Sequence, residues 1–180
     1  MSETRSVLES RAAHLSLIAA LLATFIGLLA LGVSIYAVHW QRQAVRAQVW
    51  PILQFGHSNI GGFSVLLDNA GVGPADIRTV EITVDGKAVV TWKEALERLI
   101  GPFESSVVYS SLRHRIVHAG ASFDAVKVAD PKLGARIVQE LGRIDSTICY
   151  CSVLGDCWTI NGSDAPVAGP CKPVAKPFEN

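Results

Sequence analysis

Positions 15–38 form a run of 24 residues without a charge, rich in Leu, Ala and Ile. As a helix rising 1.5 Å per residue, that run reaches roughly 36 Å, enough to cross a bilayer with some tilt. A cleaved signal peptide has a shorter apolar stretch, about 7 to 15 residues, followed by a small-residue cleavage site. Here Tyr36, His39, Trp40 and Gln41 come instead. The pattern predicts an uncleaved single-pass anchor after a short tail, residues 1–14. Arg11 and His14 mark one boundary, and the rings of Tyr36, His39 and Trp40 mark the other. Residues 39–50, HWQRQAVRAQVW, lack Gly and Pro and continue the helix as a stalk until Pro51 stops it.

After Pro51 the pattern shortens to the two-residue period of strands. Residues 52–57 read as a first strand. Residues 61–68 read as a second, with Phe63, Val65 and Leu67 on one face. Asn69, Gly71, Gly73 and Pro74 make a concentrated turn signal before an alternating strand at 76–84, with Ile77, Val80, Ile82 and Val84 apolar. Asp85-Gly86 is a strong hairpin turn leading to a strand at 87–90. Thr91 with Glu94 three residues on has capping-box spacing and predicts a helix through position 99, ended by Gly101-Pro102. Further strands are expected at 107–109, 115–118 and 123–128. A second helix should start at Pro131 and run to 141, with Gly142 at its C-terminal cap. Strands at 145–153 and 157–160 form a last hairpin, and residues 163–180, rich in Gly and Pro, read as an irregular tail.

The expected fold is mainly β. An immunoglobulin-like antiparallel sandwich over residues 51–162 carries two short inserted helices and follows one long N-terminal transmembrane helix. A parallel sheet would need more helices.

Residues 50–86 resemble a group of uncharacterised bacterial single-pass membrane proteins in which a stalk and a Trp-Pro pair lead to an N-x-G-x-G-P-A turn, here Asn69, Gly71, Gly73, Pro74 and Ala75. The order of Asn, Gly, small residue, strand and Asp-Gly is also similar to CARDB-type adhesion modules, which are β-sandwiches of bacterial surface proteins. In those a later small-residue turn precedes a core strand, matched loosely by Ala119-Gly120-Ala121-Ser122 before Phe123. The two helices and the cysteine-rich end depart from the CARDB pattern, so the resemblance implies a fold and carries no activity.

Composition sharpens this picture in one respect. Residues 1–50 hold four Arg and two Glu, and residues 51–180 hold twelve Lys+Arg against fourteen Asp+Glu, a net charge of −2. A domain without a basic excess argues against a nucleic-acid partner, because neutralising phosphates supplies most of that affinity. The charges flanking the anchor, Arg5 and Arg11 before it and Arg42 and Arg46 after it, leave its orientation nearly tied.

Orientation therefore rests on the cysteines. All four, Cys149, Cys151, Cys157 and Cys171, lie in the last quarter of the chain, as disulfides in an oxidising compartment require. Four reduced thiols in a cytosolic domain are the alternative. Cys149 and Cys151 sit two apart on a predicted strand, facing the same way, so neither bridges the other easily. That leaves Cys149 with Cys171 and Cys151 with Cys157, or the exchanged set. The first is preferred, since Cys151 and Cys157 flank a tight turn and Cys171 would tie down the tail. A zinc site would want a C-x2-C knuckle, which this spacing lacks.

Other chemistry is sparse. His114 and His118 on one strand would stand about 13 Å apart, too far for one metal ion. Gly71 and Gly73 have no G-K-[ST] beside them and no following helix to hold a phosphate. Trp92, Trp158, Phe103 and Tyr109 read as core or rim aromatics. No catalytic residue, metal or cofactor is expected. Ala19, Ala23 and Gly27 recur every fourth position, forming a small-residue face on which helices pack closely.

These readings point to a membrane-anchored, non-enzymatic binding or assembly module of the bacterial cell envelope. It would sit in the inner membrane with its domain on the periplasmic side. Besides the lipid bilayer, its partner would be a protein or a second copy, bound through the transmembrane helix or the sandwich. The alternative is an accessory or sensory subunit of a transporter or signalling complex, docked through that helix.

Overall fold

A computed structural model describes residues 2–180, with side chains from His14 onward, so the side chains of Arg5 and Arg11 lie outside the described residues. The chain divides into two units, Met1–Val45 and Arg46–Asn180.

The first unit is a helix. Helix α1 spans Ser2–Gln48, so the expected N-terminal tail is helical from Ser2, and the expected stalk continues the same helix. From His14 onward it is long and apolar enough to be a membrane span or a signal sequence, and its side chains are exposed. Two of its hydroxyls are satisfied within the helix: Thr24 Oγ1 donates to the Ala20 carbonyl and Ser34 Oγ to the Ala30 carbonyl, each at 2.8 Å. That suits surroundings that offer no water. Ala19, Ala23 and Gly27 lie along this exposed helix.

The second unit is mostly β. In chain order its elements are β1 (Leu53–Ser58), β2 (Phe63–Asn69), β3 (Ala75–Val84), β4 (Lys87–Val89) and α2 (Trp92–Ile100). There follow β5 (Val107–Tyr109), β6 (Ile116–Val117), β7 (Ser122–Val128), α3 (Pro131–Glu140), β8 (Ile144–Cys151), β9 (Cys157–Asn161) and β10 (Val167–Ala168). They form two antiparallel sheets, one ordered β1-β2-β7-β5 and the other β10-β9-β8-β3-β4, with β6 alongside β3. A single apolar cluster drawn from both sheets and from α2 and α3 fills the interior.

Burial follows the pleat on β2, where Phe63, Val65, Leu67 and Asn69 point inward. On β3 the alternation slips. Ile77 and Val80 are both buried although three residues apart, because a bulge between Ile77 and Thr79 shifts the register against β8. A second bulge, opposite Val65 and Leu66, turns both Ala125 and Val126 of β7 into the core.

The helices have the caps their sequences call for. Thr91 Oγ1 accepts from the Glu94 N–H at 3.2 Å, while the Glu94 carboxylate reaches back to the Val90 N–H at 2.7 Å. Asp130 caps α3 by accepting from the Lys132 and Leu133 N–H groups, with Pro131 in the first turn. The expected glycine cap at Gly142 is not used: Leu141 ends α3, and a 3-10 turn, Leu141–Arg143, runs straight into β8. Gly134 lets α3 come down on the backbone of Gly62 and Phe63, where a Cβ would crowd it.

The tail is irregular in backbone apart from β10, but it is not loose. Phe178 is fully buried against Trp92, ring centroids 5.1 Å apart, and its N–H donates to the Val80 carbonyl. Asn180 Oδ1 accepts from the Trp92 backbone N–H at 3.1 Å.

Candidate functional site

The register of the two sheets defines two ends of the domain. At one end lie Leu53 and Asn69 of the first sheet and Asp76 and Cys151 of the second; at the other lie Ser58, Phe63 and Val128 opposite Val84 and Ile144. The four cysteines and the turn of Asn69, Gly71, Gly73 and Pro74 gather at the first end.

Asn69 is its centre. The side chain is fully buried and uses all its hydrogen-bonding capacity: Oδ1 accepts from the N–H of Ile52 and of Gly71, and Nδ2 donates to the carbonyls of Gly73 and Val117. Around it the turn presses on the incoming chain, with the Val72 and Gly73 N–H groups donating to the Trp50 carbonyl. A Cβ on Gly73 would fall on the backbone of Val49, so only glycine fits there. Trp50, Trp158 and Tyr150 stack in series, and the buried Tyr150 hydroxyl accepts from the Leu53 N–H, joining the two sheets. Burial pushes the Tyr150 phenol pKa up.

The cysteines close the same end. Cys149 is bonded to Cys171 and Cys151 to Cys157, the first of the two pairings set out above. The bridges abut, with 3.8 Å between the sulfurs of Cys151 and Cys171. The sulfurs of Cys151, Cys157 and Cys171 lie within 4.8 Å of one another, but each is committed to an S–S bond and none offers a thiolate. Cys149 faces the outer side of β8. Through Cys171 it holds residues 167–174 over a hollow of about 550 Å³ lined by Thr79, Thr147, Thr159 and Asn161. On the chain-entropy model a cross-link spanning 22 positions contributes on the order of 3 kcal/mol.

The histidine segment does not form a site. Its strand shrinks to Ile116–Val117, His114 sits at φ 54° in a loop, and Arg115 stacks 3.8 Å from the Phe123 ring centroid. Asp85-Gly86 lies at the other end as the β3–β4 turn, both residues at positive φ. Arg143 donates to both Asp85 carboxylate oxygens and also to Glu140 and to the Leu99 carbonyl. The Arg143 guanidinium holds the Asp85 pKa below its usual value.

That second end is where the sheets part. A cavity of about 350 Å³ opens between them, walled by Phe63 and Val65 from one sheet and Ile82 and Ile144 from the other. Leu96 and Leu99 of α2 and Ile137 of α3 roof it, and Trp92 lies among them. The polar groups on its lining are few: His57, Ser146 and Ser163, with Gly56, Gly142 and Gly162 beside them. His57, Gly56, Gly142 and Ser163 are exposed and mark the mouth. A Cβ on Gly56 or Gly142 would meet nothing within 4 Å, so the rim is open backbone. Trp92 is 2% exposed, and its indole Nε1–H, fully buried, has no hydrogen-bond partner among the described residues.

The chain matches no protein-family model, no curated protein and no solved structure. The chemistry of this second end must therefore be read from its own walls. A concave apolar space of a few hundred Å³ with a few convergent polar groups is the usual form of a small-molecule site. Of the residues singled out from the sequence, Phe63, Val65, Ile82, Trp92 and Gly142 lie on it, read there as strand-face, aromatic or cap positions and not as parts of a site. Sequence offered one faint sign, a glycine within the first predicted strand, since Gly in a strand often marks close approach or a missing side chain. The rim comes from three segments far apart in the chain, and no spacing rule connects them.

Proposed function

We propose that this protein is a single-pass, membrane-anchored binding module of a bacterial envelope, with its domain outside the cytoplasm and no catalytic role of its own. The observation that carries the reading is the open cavity. It keeps apolar surface out of a core that would otherwise close on it, and leaving such space unfilled costs stability. Its lining holds one imidazole and two hydroxyls but no carboxylate and no cysteine, which suits holding a molecule more than transforming it.

Three further features support the reading. An apolar helix with internally bonded hydroxyls suits a bilayer. Two formed disulfides suit an oxidising compartment. Lettered in chain order, with β6 and β10 set aside, the sheets run A-B-E-D and G-F-C-C′, the strand order of an immunoglobulin-type sandwich. That fold also accords with the resemblance to bacterial surface modules.

A membrane-impermeant maleimide applied to intact cells, with and without an external reductant, tests the placement. Labelling that needs external reduction is the expected result. Thiols that react only after lysis, and then without reduction, would place the domain in the cytosol and end the proposal.

A further inference from the structure

We propose that the end of the domain where the chain enters docks on an anionic lipid surface, with Arg113 on the headgroups and Val72, Ile116 and Leu154 entering the interface between them. The proposal rests on reading the apolar helix as a membrane anchor. It goes beyond the cavity by giving the opposite end of the domain a partner.

The first observation is where apolar side chains break the surface. From Arg46 onward nine large apolar residues are exposed, and five of them, Trp50, Val72, Ile116, Val153 and Leu154, belong to the entrance end. The strand register brings their segments together. Ile116 is the Cα partner of Asp76, which also partners Cys151, and Val153 and Leu154 sit in the β8–β9 turn that follows Cys151. Val72 lies in the β2–β3 turn, which is tied to the 118–121 turn: the Asn69 N–H donates to the Ala121 carbonyl and the Gly120 N–H to the Asn69 carbonyl. The core makes no use of these side chains, and apolar groups gathered at one end of a water-facing domain mark a contact surface.

The second observation is charge. Residues 110–121 hold Arg113, His114, Arg115 and His118 and no carboxylate. Without those two arginines, residues 51–180 hold ten Lys+Arg against fourteen Asp+Glu, so the segment is a cationic spot on an otherwise acidic domain. The carboxylates nearby are occupied or turned elsewhere: Asp76 pairs with Arg78 at 2.8 Å, Asp156 pairs with Arg46 at 3.5 Å, and Asp68 is half-buried on the other sheet. Arg115 is used within the segment, over the Phe123 ring and on the Ser111 carbonyl. Arg113 is exposed and has no ion-pair partner among the described residues. A free cation set among exposed apolar side chains is the combination that binds an anionic bilayer surface.

The third is reach. Only residues 39–48, about 15 Å of helix, separate the apolar run from this end of the domain. The headgroup layer itself takes up about 5 to 7 Å of that span. Whatever angle the two units adopt, the entrance end stays close to the headgroups, so docking is an intramolecular step at high effective concentration.

The test uses the full chain, one per phospholipid nanodisc, with methyl-labelled Ile, Leu and Val. One set of discs is phosphatidylcholine alone, and the other contains about one-third phosphatidylglycerol as the anionic lipid. Both carry a trace of lipid with a gadolinium-chelate headgroup, whose electron spin speeds the relaxation of nearby protons. In the anionic discs the methyl protons of Val72, Ile116 and Leu154 should relax faster than in the neutral ones, whereas Ile60, on the β1–β2 turn at the far end, should relax alike in both. Raising salt from about 50 to about 500 mM should remove the difference, because the attraction to headgroups is screened. Arg113→Gln should lower the docked-to-undocked ratio about fivefold, the factor that one arginine contributes near such a surface. Ile116→Ser should lower it too, and Lys87→Gln, which removes a cation from the β3–β4 turn, should leave it unchanged. An unaltered Ile60 methyl resonance shows that each variant is folded.

Equal relaxation in neutral and anionic discs would mean that the tether alone sets the distance, and the proposal would fall. It would also fall if Arg113→Gln and Lys87→Gln behaved alike, or if the three methyls responded only in discs carrying two chains, which would make the patch a contact between copies. The two readings fail separately. A chain that does not enter the discs takes the anchor reading down with this one, whereas a chain that enters them but ignores phosphatidylglycerol leaves the anchor standing and removes only the docking.

Discussion

The two ends of the domain solve opposite problems with the same two sheets. Where the chain enters, polar groups are buried and fully paired: Asn69 with four hydrogen bonds, Tyr150 bridging the sheets, two disulfides side by side. Where α2 and α3 close the far side, polar groups are scarce, one buried donor is unpaired, and the apolar layers stand apart around a cavity. A core built on mutual satisfaction tolerates no gap, because every unmade hydrogen bond is felt. One built on apolar contact can part locally, since dispersion contacts are lost a few at a time. The entrance is closed by paired polar groups and cross-links, and the unfilled space lies at the far end.

The sharpest way to break this contrast is Asn69→Ala. It would leave the N–H groups of Ile52 and Gly71 and the carbonyls of Gly73 and Val117 without their partner inside a closed region. At about 1 to 3 kcal/mol for an unsatisfied buried group, with some relaxation, a loss of about 4 to 5 kcal/mol is expected in denaturant unfolding. A loss under about 1 kcal/mol would mean that the entrance is no tighter than an ordinary turn.

A matched pair on one strand tests the contrast more finely. Ile148 and Ile144 both belong to β8; Ile148 is 1% exposed in the closed core, whereas Ile144 is half-buried on the cavity wall. Truncating Ile148 to Ala should cost about 3 to 4 kcal/mol, because a new void opens among packed neighbours. Truncating Ile144 should cost about 1 kcal/mol, because the space beside it is already empty. Similar costs at both positions would show that the far end is packed as tightly as the near one.

The same contrast explains what the sequence made legible. Turn chemistry is local, so Asn69, Gly71, Gly73 and Asp85-Gly86 stood out, and period-two patterning located β2 and β8 to within two residues. The bulges in β3 and β7 were hidden, because a bulge moves a side chain between faces without altering composition. The Phe178 anchor was hidden for another reason: one aromatic in a Pro-rich tail has no periodic neighbours to announce burial. The cavity was least legible of all. It is made by segments around positions 56, 92, 137, 144 and 162 that meet only once both sheets and both helices are in place.

The smallest effect should come from acid, and it should act on the far end. Asp85, Glu94 and Asp130 all have pKa values held below the usual carboxylate range, by the hydrogen bond from Arg143, by the Val90 N–H, and by the N–H groups of Lys132 and Leu133 respectively. Each is a joint of the roof: the β3–β4 turn that Arg143 ties to Leu99 and Glu140, the cap of α2 and the cap of α3. A carboxylate whose folded pKa is depressed contributes stability that is fully present above its unfolded pKa, near 4, and is lost as pH falls through the folded value. Amide exchange corrected for intrinsic rates should therefore show protection in α2 and α3 unchanged between about pH 6 and 5 and falling below about 4. The amides around Asn69 and β8, tied by neutral hydrogen bonds and disulfides, should hold. Glu94→Gln should flatten part of the α2 response while leaving α3 as it was. If both ends lost protection together, the domain would be opening as one cooperative unit, and the roof would not be a separately adjustable part.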